Sequence, residues 1–486
     1  MPLSQLLAGI APVPRDVLLS DLTQNSHEVR PGAAFLACRG SRRHGLEFAV
    51  DVAQRGAVAI LWEPDGSTRP PQFQSDIVLA EVPELSQRAS LLADRFFGSP
   101  SRQLAVVGVT GTNGKTTCAW LLAQALTAIG RPAAYMGTLG SSFADEQVQG
   151  ELTTPDAVNV QRLLAGFRAR GARQVAMEVS SHGLVQGRVR AVRFDAAVFT
   201  NLTRDHLDYH GDMASYGAAK ASLFERDEVR LRVLNVDDAF GSTLAARPEF
   251  TGRIACSTRA SAAAPCLFAR DIEFDSTGTT FTLESSYGTA RLSSRLLGDF
   301  NVDNVLAVLA VLLGSGVELQ QAGAALASLS APAGRLETIV REGGPTAVVD
   351  YAHTPDALDK VLRVLRRHCT GQLTVVFGCG GDRDRGKRPL MGAIAAQQAD
   401  RIVLTDDNPR SEDGDRIIAD IRSGLGSTAA ATVRDRRAAI AQALAGAGVG
   451  DVVLVAGKGH EQYQIVGNEK RFFSDQQVLR ELLEAA

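Results

Sequence analysis

The sequence predicts an α/β fold in three domains, and three observations predict it. A chain of 486 residues exceeds what one hydrophobic core organises, and the length prior is about three domains. Short apolar runs alternate with segments whose apolar residues recur at helical spacing, the pattern of strand–helix units in parallel sheets. One apolar run leads straight into "GVTGTNGKTT", residues 108–117, where glycines precede a lysine and two threonines.

Residues 1–101 mix the apolar strands "AAFLAC", "AVAILW" and "DIVLAEV" with helical pieces and end in the turn-prone "FFGSPSRQ". Residues 102–334 form a central P-loop parallel-sheet domain. There "LAVV", "QVAMEV", "FDAAVFTNL" and "LRVLNVDD" read as buried strands, and "KTTCAWLLAQALTAIG" as a helix. Residues 272–296 switch to period-two alternation with Gly and Ser turns, which predicts an antiparallel ribbon. "APAGR" marks the next boundary. In residues 335–486 "TAVVDYA", "LTVVFGC", "DRIVLT" and "DVVLVAG" alternate with amphipathic helices such as "PDALDKVLRVLRRHC", the pattern of a Rossmann-like doubly wound sheet.

A formal net charge of −3 gives no global attraction to nucleic acid or membrane, so any anion site must be local. The six cysteines lie far apart with no C-x-x-C, which argues against a disulfide framework or a cysteine zinc site. "MPLSQLLAGIAPVPRDV" lacks a basic leader, and no apolar run reaches the roughly 18 residues of a membrane span. The expected location is the cytoplasm.

Glycines let backbone N–H groups turn inward onto an anion, a helix start adds its positive end, and Lys115 adds a full charge. Residues 108–117 therefore read as a phosphate cradle with Thr116 facing Mg²⁺, although Val109 stands where the usual P-loop has its first glycine. The competing reading is a tight strand-to-helix turn that binds nothing. Polar clusters follow two neighbouring strands: Glu178, Ser180, Gln186 and Arg188 after one, Asp205, His206 and His210 after the next. Ligands gather at such strand ends in open parallel sheets, and Glu178 and His206 are suited to a hard cation there.

"GVTGTNGKTT", "MEVSSHGL", "FTNLTRDHLDYHGDM", "GDFNVDNVLA", "VVDYAHTPDAL", "VFGCGGDRDRGKRPLMG", "TDDNPR" and "VAGKGHEQYQ" resemble, in order, the Mur ligase family. The resemblance spans nearly the whole chain, and the family's shortened P-loop accounts for Val109. It implies an ATP-dependent, amide-forming enzyme of peptidoglycan synthesis acting on UDP-N-acetylmuramoyl-L-alanyl-D-glutamate. ATP would phosphorylate the D-glutamyl side-chain carboxylate, and an incoming amine would displace phosphate.

By that resemblance Gly111, Thr112, Asn113, Gly114, Lys115, Thr116 and Thr117 form the nucleotide loop, with Asn304, Arg335 and Asp350 also reaching ATP. Mg²⁺ would lie at Thr116, Glu178, His206 and a carbamylated Lys220, and Lys115, Glu178, His206 and Lys220 would be catalytic. Lys220, in "YGAAKASLF", would otherwise pass for a solvated lysine on an Ala-rich helix. Asn113, Thr153, Thr154, Ser180, Gln186 and Arg188 would hold the UDP-muramoyl-dipeptide, with Ser26, Ser41, Arg42 and Arg43 at its uridine end. "NSH" (residues 25–27) departs from the family's common Asp-Ser-Arg. Closure by rotation near residues 333–336 would bring ATP and the amino acid together.

The amino acid follows from "DNPR". meso-Diaminopimelate and L-lysine differ by one distal carboxylate, and Arg410 offers the guanidinium fork that matches it. Arg383, Asp407, Asn408, Pro409, Gly457 and Glu461 match family positions around the same ligand, Glu461 suiting the distal ammonium. The competing role for Arg410 is a surface pair with Glu412 or Asp413. Alternatives at the level of function are a lysine-adding relative, a folylpolyglutamate-synthetase-like ligase and a non-catalytic P-loop binding protein.

Overall fold

The computed structural model describes residues 1–40, 43–66, 68–73, 76–260, 265–275 and 278–485. The chain is mixed α/β, as expected, and divides into two compact units, Met1–Cys256 and Ser257–Ala486.

The first unit opens with four parallel strands in chain order, β1 (Asp21–Thr23), β2 (Ala33–Ala37), β3 (Ala59–Trp62) and β4 (Val78–Glu81). Every residue of "AAFLA" in β2 is buried, because both faces of the sheet are covered. Leu85, Ala89, Leu92 and Ala93 of helix Leu85–Phe96 close one face, packed with Leu3, Leu6 and Leu36.

The unit's second sheet comprises β5 (Ala105–Thr110), β6 (Ala133–Gly137), β7 (Gly140–Phe143), β8 (Glu146–Val148), β9 (Gln174–Glu178), β10 (Ala196–Phe199), β11 (Leu231–Asn235) and β12 (Arg253–Ser257). Their order is β12-β11-β10-β5-β9-β6-β7-β8, parallel except for the edge hairpins of β7 and β8. From β5 the chain runs through helix Lys115–Ala128 to β6, returns to β9 in between, and then crosses to β10 on the other side of β5. The carboxyl end of β5 is thus the switch point of the sheet, flanked by the ends of β9 and β10.

The second unit begins with an antiparallel ribbon, β13 (Cys266–Asp275), β14 (Gly278–Ser285) and β15 (Gly288–Ser294). Pairing starts at Leu267, earlier than the alternation from residue 272 predicts. A register shift between Arg270 and Glu273, with Asp271 at φ 51°, breaks the period there.

The C-terminal sheet contains β16 (Glu337–Val340), β17 (Thr346–Asp350), β18 (Leu373–Phe377), β19 (Arg401–Leu404), β20 (Ala431–Thr432) and β21 (Val452–Ala456), in the order β16-β17-β21-β18-β19-β20. Only β16 is antiparallel. Val348, Val375, Leu404 and Leu454 face helices Pro355–His368, Lys387–Gln398 and Gly414–Arg422, while Val349, Val376, Val403 and Val455 face helices Arg436–Ala445 and Asp475–Ala485. Helices on both faces make the sheet doubly wound. A last hairpin joins β22 (Tyr463–Val466) and β23 (Glu469–Phe472).

His368, at the end of helix Pro355–His368 and 1 % exposed, ties three elements of this unit. Its Nε2 accepts from Gly298 N at 2.8 Å, ahead of helix Asp299–Gly314, and its Nδ1 lies 2.7 Å from Asp275 O in β13. Among the described residues no helix is long and apolar enough to cross a membrane.

Candidate functional site

The loop after β5 is shaped by close approach. Gly111 has φ 150°, and a Cβ there would stand 1.9 Å from Thr200 Oγ1, so only glycine lets the loop lie against the end of β10. Gly114, at φ 83°, opens helix Lys115–Ala128. Thr112 N donates to Asn201 O at 2.8 Å and Asn113 N to Asn201 Oδ1 at 2.9 Å, which fixes the loop over β10. Lys115 Nζ folds back onto Gly111 O (2.9 Å) and Thr112 O (2.8 Å), holding its charge within the loop.

On the other side, Glu178 ends β9 with no solvent exposure. Its Oε2 accepts from Thr116 Oγ1 at 3.0 Å and Thr138 Oγ1 at 3.1 Å, and its Oε1 from Tyr135 Oη at 2.6 Å and Thr138 N at 2.8 Å. Gly137 makes room for this carboxylate, since a Cβ there would be 2.1 Å from Glu178 Oε1. A threonine hydroxyl and a carboxylate oxygen converging at the head of a phosphate loop are the hard donors that Mg²⁺ takes. Among the described residues no three His, Cys, Asp or Glu side chains converge as a metal site.

Lys220, on helix Met213–Ala221, is 1 % exposed and donates to Gly111 O at 2.7 Å, the carbonyl that Lys115 also uses. Its Nζ lies 4.4 Å from the centre of the Tyr216 ring. Burial, with the neighbouring Lys115 charge adding to it, pulls the Lys220 amine down to about 6. His206 has φ 51°, and its ring packs edge-on to His182 at 4.9 Å. Its Nε2 lies 3.6 Å from Asp205 Oδ2. No hydrogen bond joins His206 to Thr116 or Glu178 among the described residues.

Thr154, Ser180, Gln186 and Arg188 do meet. Thr154 Oγ1 donates to Glu178 O at 3.0 Å and accepts from Ser180 N at 2.9 Å, while Arg188 reaches Thr154 O at 2.6 Å and Gln186 Oε1 at 2.9 Å. Thr153 Oγ1 lies within hydrogen-bond distance of Thr138 Oγ1, at 3.1 Å. A cleft of about 460 Å³ on the N-terminal sheet is lined by Gln24, Ser26, Arg43 and Asp156 among others. Asn25 also lines it, but its side chain is spent on its own turn, accepting from His27 N at 3.0 Å and donating to Glu28 at 3.1 Å. Ser41 and Arg42 lie outside the described residues.

In the second unit Asp350 ends β17 and accepts from Leu336 N (2.8 Å) and Ala352 N (2.9 Å), its carboxyl raised chiefly by burial. Arg335 lies over the Tyr351 ring at 5.9 Å. Asn304 is buried in helix Asp299–Gly314, bonded to Asn301 at 2.8 Å.

Around the ends of β18, β19 and β21, Asp407 is buried and its carboxyl is raised by desolvation. Gly457 leaves it space, since a Cβ there would be 2.6 Å from Asp407 Oδ2. Asn408 and the fully buried Lys458 both grip Glu461 Oε2, at 3.0 and 3.1 Å. Arg410, at φ 52°, follows Pro409 and donates Nη1 to Gly381 O at 2.8 Å. It does not pair with Glu412 or Asp413: Glu412 is bound by Arg388 and Arg385, and Asp413 caps helix Gly414–Arg422. Arg383 is exposed on the loop after β18.

Tyr135, Gly137, Thr138 and Tyr216 in the first unit, and Lys458 in the second, are residues that the sequence left unassigned. Tyr135, Gly137 and Thr138 come from β6 and the turn after it, Tyr216 from the helix that carries Lys220, and Lys458 from the "GKGHE" loop itself.

Comparison with known proteins assigns residues 20–96 to the catalytic domain of the Mur ligase family, 109–312 to the Mur ligase middle domain and 334–459 to the glutamate ligase domain of Mur ligases. The chain is 50% identical over 486 residues to a UDP-N-acetylmuramoyl-L-alanyl-D-glutamate–2,6-diaminopimelate ligase of Xanthomonas campestris pv. campestris, covering 99% of this chain and 97% of that protein. It is 48% identical over 476 residues to the ligase of the same name from Ectopseudomonas mendocina, covering 98% and 96%. A solved structure of a ligase of that name superposes with a TM-score of 0.74 at 35% identity, covering 96% of this chain and 95% of the other.

Proposed function

The chain belongs to the Mur ligase family, and from that premise we propose that it joins meso-2,6-diaminopimelate to UDP-N-acetylmuramoyl-L-alanyl-D-glutamate at the expense of ATP, in peptidoglycan synthesis. The observation that carries this reading is 48–50% identity, over nearly the full length of both chains, with ligases of that name.

A carboxylate is a poor electrophile with a poor leaving group. Transfer of the γ-phosphoryl group of ATP to the D-glutamyl side chain gives an acyl phosphate, whose carbonyl the diaminopimelate amine attacks. The amine loses its proton, and phosphate leaves from the tetrahedral intermediate. Gly111, Thr112, Asn113, Gly114 and Thr117 would cradle the phosphates, with Lys115 supplying charge where it develops. Thr116, Glu178, His206 and a carbamylated Lys220 would hold Mg²⁺, which when bound neutralises phosphate charge. Asn304, Arg335 and Asp350 would position the nucleotide. Thr153, Thr154, Ser180, Gln186 and Arg188 would orient the dipeptide, and the cleft at Ser26 and Arg43 would take the uridine end. Arg383, Asp407, Asn408, Arg410, Gly457 and Glu461 would form the amino-acid pocket. ATP and a UDP-linked substrate place the reaction in the cytoplasm.

Phosphate release from ATP should require both the UDP-muramoyl-dipeptide and diaminopimelate, and release that ignores either one contradicts a ligase. L-Lysine should be a far poorer substrate, because a site built around a charged group rejects an analogue lacking it by ~10⁴-fold. Equal use of L-lysine would overturn the substrate assignment while leaving the chemistry intact.

A further inference from the structure

Glu412 stands two residues beyond Arg410 on the same loop and is a second carboxylate there, besides Asp382 from the neighbouring one. Arg410 and Glu412 pack against one glycine: the Arg410 guanidinium bonds the Gly381 carbonyl at 2.8 Å, and a Cβ on Gly381 would lie 3.2 Å from Glu412 Cβ. Glu412 is nonetheless occupied elsewhere. Arg388, on helix Lys387–Gln398 and 1 % exposed, donates Nη2 to its Oε1 at 3.0 Å and Nη1 to its Oε2 at 3.1 Å. Arg385 lies 3.1 Å from Oε2, and Asp382 N donates to Oε1 at 2.6 Å. These bonds, Arg388's first, hold the Glu412 carboxyl down at about 2, so it is an anion at every working pH. Arg388 is anchored in turn by Asp420 at 2.9 Å. Among the described residues Arg410 makes no ion pair with a carboxylate; the negative charge that feels it is Asp382, which is spent on Ser411 N at 3.2 Å and Ser411 Oγ at 2.7 Å.

We propose that Arg388 is a positioning residue for amino-acid specificity: by forking Glu412 from beneath, it keeps that carboxylate off Arg410 and leaves the Arg410 charge for the distal carboxylate of diaminopimelate. The inference rests on Arg410 being the carboxylate receptor. A free Glu412 would compete with the substrate for the same N–H donors, and a planar fork satisfies both of its oxygens as an ammonium does not.

The test is steady-state kinetics on the full-length enzyme. Arg388→Met should raise the KM for diaminopimelate by about ten-fold or more and narrow its preference over L-lysine, with the KM for ATP within about two-fold. Adding Glu412→Gln to that variant should restore the diaminopimelate KM to within about three-fold of wild type, and Glu412→Gln alone should match wild type. If Arg388→Met does not fold, Arg388→Lys takes its place with the same rescue expected. An unchanged KM in the single variant, or a double variant as impaired as the single one, overturns the proposal. Arg410→Ala with an unchanged diaminopimelate KM sinks the receptor reading instead.

Discussion

Lys220 occupies surroundings hostile to an ammonium: it is buried, beside Lys115, on a carbonyl that both lysines share. With its amine brought down to about 6, the lone pair would be free above that pH for the proposed attack on CO₂, which would release a proton and leave a carboxylate on the side chain. Lys220→Ala should therefore be nearly inactive and partly recovered by short carboxylic acids, read as phosphate release. Rescue by short amines instead would mean that the residue works as a cation. At this scale the sequence was legible where backbone chemistry is unusual. Glycines and a lysine after an apolar strand announce a phosphate loop because few other structures need them. Lys220 offered no such mark, since an Ala-rich helix carries exposed lysines as readily as buried ones. Tyr135 and Thr138 were hidden for a related reason: one lies within an apolar strand and the other in the turn after it, and only folding turns their hydroxyls onto Glu178.

β6 and β9 lie so close at their carboxyl ends that Gly137 is part of the Glu178 site. Gly137→Ala puts a methyl group 2.1 Å from the carboxylate and 2.5 Å from Tyr135 Oη, so one of them must move. Activity should fall roughly ten-fold or more, since small displacements of positioning groups cost that much. A fully active Gly137→Ala enzyme would show that the Glu178 geometry is not critical. Helix Pro355–His368 poses a question of stability. Both ring nitrogens of His368 are engaged, and burial lowers its affinity for a proton below the ordinary 6.5. The unfolded chain then binds the proton more readily, so this contribution to stability is whole above pH 6.5 and is lost as pH falls below it. His368→Ala should cost about 1–3 kcal/mol near neutrality and flatten the acid limb of the thermal-unfolding profile. An acid limb identical to wild type would contradict the assignment. The buried parallel strands were readable as continuous apolar runs. β7, β8 and β20 were not, because they are short strands at or next to a sheet edge that carry polar residues and take their pairing from a neighbour.

For the molecule as a whole, the proposed nucleotide loop belongs to the first compact unit and the residues proposed for diaminopimelate to the second, so the proposed reaction would need closure between them. ATP analogue and UDP-substrate together should lower the radius of gyration in small-angle scattering, and unchanged profiles would contradict closure. Gly334 and Leu336, in the expected hinge, have φ 66° and 47°, and a Cβ at Gly334 would meet Gly459 at 2.3 Å. The division at Cys256/Ser257 was not marked by the turn-rich stretches at which the sequence predicts boundaries. Nor could the strand order of the C-terminal sheet be read, since β21 pairs with strands made about 80 to 100 residues earlier. That insertion has a consequence in time. A ribosome delivers β17, β18, β19 and β20 before the strand that stands between β17 and β18 exists. Until Ala456 has emerged, Val348 and Val375 have no shared neighbour to close over them, and β16–β17 and β18–β19–β20 can pair only as two separate pieces with exposed inner edges. A premature stop before Asp451 should therefore yield a protease-sensitive, aggregating chain rather than a slightly shorter enzyme.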